Sequence, residues 1–179
     1  MFILSQHFLG GKSFHLNKPD FLFEALALLK KEGKKINFHH IGSSVYDLQS
    51  LAKKYNIEDL YVSWGYKNHK ECLEILKSMD AFTVILDSNV ENADTTIGGK
   101  VYEYLRYKKP ILGLVPKKGE AAQLISKTKS GIICDSHVAH DIVEAINNLK
   151  SMKFDYIDIE KFNRMNLAKQ LNNYLLKII

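Results

Sequence analysis

The residues best placed to do chemistry lie in one stretch, Thr95-Thr96-Ile97-Gly98-Gly99-Lys100-Val101-Tyr102-Glu103-Tyr104-Leu105, with Lys109-Pro110-Ile111-Leu112 behind it. Two glycines ahead of a helical pattern leave backbone N–H groups unshielded, which is how helix starts hold phosphate. Lys100 falls in the first turn, where a cation opposes the helix dipole, and a bound diphosphate removes that penalty. Glu103 lies a turn further along the same side, able to accept hydrogen bonds from two vicinal hydroxyls such as those of a ribose. Spacing alone fits a flexible loop, a solvated lysine and a helix-start glutamate equally well. Gly10-Gly11-Lys12 is a second candidate, since glycines permit close backbone approach to a pyrophosphate that Lys12 could neutralise. Without a full phosphate-loop motif the same pair also serves as a plain turn. Gly42-Ser43 and Gly65-Tyr66 complete a series in which a glycine follows each of the first three apolar runs, favouring a ligand groove along one edge.

Other chemistries find less support. His39-His40 falls inside a strand pattern, so one ring faces each side, as a packing pair. His15, His69, His137 and His140 have no carboxylate or cysteine at ligand spacing, so no metal site is expected. Asp87 ends an apolar strand as a phospho-acceptor would, but Gln6-His7 stands where the paired acids of a receiver domain belong. No Gly-x-Ser-x-Gly elbow occurs. Cys72 and Cys134 are single and far apart, expected as reduced, core-facing thiols.

The elements that must position these residues alternate between strand and helix. Strands are expected at Ile3–Gln6, Ile36–Ile41, Leu60–Trp64, Ala81–Leu86, Ile111–Val115 and Ile132–Cys134. Between them fall a helix opened by Pro19-Asp20, helices over Tyr46–Tyr55 (capped by Ser43 or Ser44), Asn68–Met79, Lys100–Tyr107 and Glu120–Lys127, then Asp141–Leu149. A linker near Ser151–Tyr156 precedes one final amphipathic helix over Ile159–Ile178. Such alternation implies a Rossmann-like doubly wound parallel sheet of about six strands with helices on both faces, plus a C-terminal helix. Ligands bind outside the carboxyl ends of the strands in such sheets, where these glycines lie.

At 179 residues the chain suits one ordinary domain, and 46% hydrophobic with 25% charged residues is the mix of a soluble protein with a real core. No apolar run is long enough to span a bilayer and no secretory leader opens the chain, so a cytoplasmic location is expected. The net charge of +5 favours anionic partners. Only Arg106 and Arg164 are arginine, which argues against nucleic acid read through arginine forks.

Nearly the full chain resembles the C-terminal half of a GT-B glycosyltransferase of the family-4-like group. The resemblance is carried by Lys18-Pro19-Asp20 with Phe23-Glu24-Ala25-Leu26, Phe38-His39-His40-Ile41-Gly42, Val62-Ser63-Trp64-Gly65, Met79-Asp80-Ala81-Phe82, Lys129-Ser130-Gly131-Ile132-Ile133 and, most specifically, the Lys100–Leu105 stretch before Lys109-Pro110-Ile111. It implies a nucleotide-sugar-binding domain over 1–150, with 151–179 as linker and tail packing on it or on an N-terminal acceptor domain. By the same resemblance Gly98, Gly99, Lys100 and Val101 face the donor diphosphate from one side and Gly10, Gly11 and Lys12 from the other. Glu103 then holds the ribose, and Gly65 and Tyr66 lie against the base. Many relatives carry a further sugar-binding Glu eight positions before the one matching Glu103; Thr95 stands there, leaving Glu91 or Asp94 as the sugar contacts. Hexose transfer to a polysaccharide or lipid-linked acceptor is implied, with no cofactor beyond the donor. The acceptor half and the catalytic base are expected in a separate segment or chain, which would also make any peripheral membrane contact. A non-catalytic binding module, a subunit of a split enzyme and a nucleotide-sugar epimerase fragment are the alternatives.

Overall fold

The computed structural model describes the backbone of residues 2–7 and, in full, residues 19–44, 46–135 and 137–178. In chain order it runs β1 (Phe2–His7), α1 (Asp20–Lys31), β2 (Ile36–Ile41), α2 (Leu48–Lys54), β3 (Tyr61–Ser63), α3 (His69–Lys77) and β4 (Ala81–Ile85). There follow α4 (Gly99–Arg106), β5 (Ile111–Leu114), α5 (Glu120–Lys127), β6 (Gly131–Cys134), α6 (Ala139–Ser151), a 3-10 turn (Ile159–Phe162) and α7 (Arg164–Leu175). The strands form one six-stranded, all-parallel sheet in the order β3-β2-β1-β4-β5-β6. The order reverses between β1 and β4, the crevice where doubly wound sheets take ligands.

The strand patterns explain the two-sided burial. Every residue of β4 is buried, as its unbroken Ala-Phe-Thr-Val-Ile run demands of a central parallel strand. Ile36 and Phe38 of β2 join the core beneath α1, α2 and α6, whereas Ile41 joins the second core beneath α3, α4 and α5. His39 and His40 therefore face opposite sides, as expected. Trp64 Nε1 donates to His39 Nδ1 at 3.1 Å. Burial pushes the His40 imidazole down to about 4 and lowers His39 in the same direction.

Helix ends follow local chemistry. Leu22, Phe23, Ala25, Leu26 and Leu29 form the buried stripe of α1, each contributing about 1.5–3 kcal/mol of transfer free energy except the smaller alanine. Gly33 stops that helix in the left-handed region at φ +76°, with Gly33 N donating to Lys30 O and Lys34 N to Leu29 O. Asn68 and Glu71 make a reciprocal capping box at α3. At α2 the expected serine cap gives way: Asp47 accepts from Ser50 N at 2.9 Å, and Ser44 instead accepts from Tyr46 N. An ionised carboxylate is the stronger acceptor, so the helix starts later, at Leu48.

The tail departs more from expectation. α6 continues to Ser151, and the segment after it returns along the end of α5, with Ile157 N donating to Thr128 O at 2.7 Å. The anticipated single last helix is broken at Asn163, whose extended backbone ends the 3-10 turn and whose side chain accepts from Met165 N to start α7. Ile159 and Phe162 pack on the second core, but no residue of α7 is buried. Leu171, Tyr174 and Leu175 are exposed.

Cys72 and Cys134 are free and buried, and burial raises both thiols, Cys134 to about 12. Among the described residues no helix is long and apolar enough to cross a membrane, and no three His, Cys, Asp or Glu side chains gather as a metal site.

Candidate functional site

The entrance to α4 is built from its neighbours. β4 delivers the chain to the carboxyl edge of the sheet, and the loop from 86 to 98 returns it to Gly98, the N-cap of α4, in extended conformation (φ −64°, ψ 133°). Among the described residues, outside the adjoining chain, no atom lies within 4 Å of where a Cβ on Gly98 or Gly99 would stand. The N–H groups of Gly99 and Lys100, the first two of the helix, have no intrahelical acceptor, whereas Val101 N already donates to Gly98 O. Val101, Tyr104 and Leu105 anchor the helix in the core, and the Tyr104 ring stacks on Phe82 with centroids 4.3 Å apart.

On the outer side, Lys100 Nζ and Glu103 Oε2 pair at 2.9 Å, their side chains 22% and 17% exposed. The pair offsets the unfavourable placement of a lysine in a first turn. Gly99, Lys100 and Glu103 line, with His69 at the start of α3, one end of a cavity of about 790 Å³ that continues along α4 past Leu105 and Arg106 to Lys108. That volume is of the size that binds a small organic ligand. The 3-10 turn walls its other side through Ile159 and Phe162, and Phe162 meets the Tyr102 ring at 5.3 Å.

The structure thus brings Gly99, Lys100 and Glu103 into one hollow. Gly98 borders it in sequence. Val101 points away: its side chain is fully buried and its N–H donates to Gly98 O at 3.0 Å, so no part of it projects into the cavity. Gly65, at φ +60°, accepts from Gly42 N at 2.8 Å, and this bond ties together the turns that follow β2 and β3. Tyr66 is 83% exposed, and His69 rather than Gly65 or Tyr66 carries that loop to the cavity wall. Glu91 and Asp94 are exposed and do not line it; Asp94 O accepts from Glu120 N at 2.7 Å, which fastens the loop to α5. The Thr95 hydroxyl is turned onto Asn92 O. Gly10, Gly11, Lys12 and Lys18 lie outside the described residues, as does the side chain of His7.

Two features escaped the sequence. His137, spaced from any carboxylate by no ligand motif, meets Asp87 at the carboxyl edge with Nε2 2.9 Å from Oδ1. A continuous apolar strand ending in an acid was the one signal, and it could not name a partner fifty positions away. Lys109 donates through its ammonium to Lys77 O and Met79 O, closing the last turn of α3, and burial holds its pKa below the ordinary lysine value.

The fold is a Rossmann-like doubly wound domain, and its hollow runs from the start of α4 along the outer face of that helix, with a cation and a carboxylate near the helix start. The family model for glycosyl transferases group 1 matches residues 11–171, and the chain belongs to this family. No curated protein matches it by sequence. The fold is that of the C-terminal domain of GT-B glycosyltransferases. It is similar to Anabaena HepE in complex with UDP, at TM-score 0.68 and 14% identity, covering 96% of this chain and 49% of that one. It is also similar to the pneumococcal O-GlcNAc transferase GtfA in complex with UDP and GlcNAc, at 0.69 and 19%, covering 99% and 36%. The C-terminal domain of the Francisella tularensis group 1 protein LpcC matches at 0.62 and 15%, covering 90% of this chain and 84% of that one. The chain spans about half or less of the full-length structures it resembles.

Proposed function

We propose that this chain is the donor-binding domain of a glycosyltransferase that moves a hexose from a nucleoside diphosphate sugar to a polysaccharide or lipid-linked acceptor in the cytoplasm. The observation that carries the proposal is the shared hollow of Gly99, Lys100 and Glu103 at the start of α4. When a nucleotide enters, Lys100 exchanges Glu103 for the diphosphate, and the freed carboxylate accepts from the ribose hydroxyls. The helix-start amides and the ammonium then stabilise the negative charge that grows on the leaving diphosphate, with no metal required. His69 sits where the nucleoside end would lie, beside the Gly65-Tyr66 segment proposed for the base.

Transfer also requires the acceptor to be oriented across a closed cleft, so the domain alone is expected to bind donor and turn over poorly. The exposed apolar side chains of α7 suit contact with an acceptor domain, in the same chain or a separate one. A second reading, a binding module without turnover, is favoured by the engagement of Thr95 with Asn92 O and the outward placement of Glu91 and Asp94. Thermal melts with UDP and GDP test the proposal: one of them raises the melting temperature of the wild type and leaves Glu103→Ala unmoved. Curves that do not shift at millimolar nucleotide count against the site. Hydrolysis of nucleotide sugars in the presence of the acceptor domain separates the transferase from the binding module.

A further inference from the structure

Three consecutive side chains converge on one imidazole. Asp87 Oδ1 lies 2.9 Å from His137 Nε2, Ser88 Oγ 3.2 Å from Nδ1, and Asn89 Nδ2 3.1 Å from Nε2. On its own loop, His137 N donates to Asp135 Oδ1 at 2.9 Å, and that oxygen stands 3.5 Å from Nδ1. The Phe21 ring of α1 meets the imidazole edge-on, with centroids 5.5 Å apart. The Asp87 carboxylate can only accept, so its bond to Nε2 is one in which the imidazole donates. Asp87 is only 8% exposed, and a carboxylate so enclosed depends on such donors.

The convergence sits at the root of the loop that becomes the donor site. Asp87 Oδ1 also accepts from Asn89 N, and Asp87 O from Val90 N, so the imidazole holds a complete turn rather than one side chain. The far end of the loop is fixed by Asp94 O on Glu120 N, and the chain then runs directly to Gly98 and Gly99. Glu103 and His69 need no such support, because they stand on helices whose buried faces hold them. Two grips on a ligand are thus fixed in two ways. The nucleoside end relies on the packed bodies of α3 and α4, and the phosphate end on Gly99 and Lys100, the first two residues of α4, where the loop that begins at Asp87 enters the helix.

Resting on the proposed function, we infer that His137 is a positioning residue for the donor diphosphate: it joins the loops after β4 and β6 to the start of α1 and so sets where the Gly99 and Lys100 amides meet the second phosphate. A shift of the loop of an ångström would loosen that contact without touching the nucleoside.

The test is calorimetric titration of the full chain with UDP and with UMP, which lacks the second phosphate, well below the melting temperature. His137→Ala should weaken UDP about tenfold, the loss expected when a charged hydrogen bond no longer fixes the loop, and change UMP less than about twofold. His137→Gln keeps an N–H for Asp87 and should recover part of the UDP affinity, leaving it about threefold below the wild type. Glu103→Gln should weaken both ligands. If His137→Ala does not fold, His137→Gln must still lower the UDP-to-UMP affinity ratio by about threefold. An unchanged ratio in the His137 variants, whatever their stability, overturns the inference while Glu103→Gln still upholds the donor site. A wild type that binds neither UDP nor GDP, or a Glu103→Gln chain that binds the nucleotide normally, overturns the donor site and this inference with it.

Discussion

His40 makes the stability of this fold depend on pH in a calculable way. The ring lies on β2 beneath α2, only 3% exposed, and burial holds it down to about 4 against an ordinary value near 6.5. Between those two values the unfolded chain binds a proton that the folded chain refuses, so stability falls as the pH is lowered through that window and levels off below it. The full difference is about 3 kcal/mol, of which about 2 kcal/mol is already lost at about pH 5. His39 and the lowered carboxylates of Asp47 and Asp59 also titrate, so the comparison must be internal. Urea unfolding of the wild type and His40→Gln, at neutral pH and near pH 5, isolates the ring. The wild type should lose about 2 kcal/mol more than the variant on acidification. Parallel losses would mean that His40 titrates normally, and the burial of the β2 carboxyl end would be wrong.

Four further substitutions probe the scaffold that serves the site. A Cβ at Gly119 would stand 2.9 Å from Asp94 O, so Gly119→Ala should displace the loop before α4, costing about 1–3 kcal/mol in thermal melts and weakening UDP binding in parallel. At Gly131 the added carbon would fall 2.0 Å from Ile111 O, so Gly131→Ala should break the β5–β6 pairing and abolish soluble expression or cooperative unfolding. Lys109→Met should cost about 1–2 kcal/mol in urea unfolding by stripping the carbonyls at the end of α3. Lys77→Ala, which removes only an exposed ion pair with Glu74, should stay within about 0.5 kcal/mol.

What the sequence disclosed follows from the range of the interactions involved. Strand positions and the parallel, doubly wound architecture depend on apolar periodicity and short-range punctuation, and β2 and α5 fall at their expected bounds, Ile36–Ile41 and Glu120–Lys127. The α4 entrance was legible for the same reason, since Gly98, Gly99, Lys100 and Glu103 are neighbours in sequence as in space. The break at Asn163 was not, because the apolar pattern continues across it while a local side-chain cap overrides it. The Asp87–His137 contact and the Lys109 cap span long sequence separations that only the closed sheet brings together. Val101 shows the converse: a residue inside the most recognisable motif turns its side chain into the second core, on the face of α4 opposite Lys100 and Glu103.

A crystal structure of the protein soaked with UDP tests the central claim most directly. The account predicts density in the hollow outside α4, with the ribose hydroxyls on the Glu103 carboxylate, the phosphates over the Gly99 and Lys100 amides, and the Lys100 ammonium turned from Glu103 to the diphosphate. A nucleotide bound elsewhere, for example in the smaller hollow of about 240 Å³ beside His40 and Tyr46, with the Lys100–Glu103 pair intact, would contradict it.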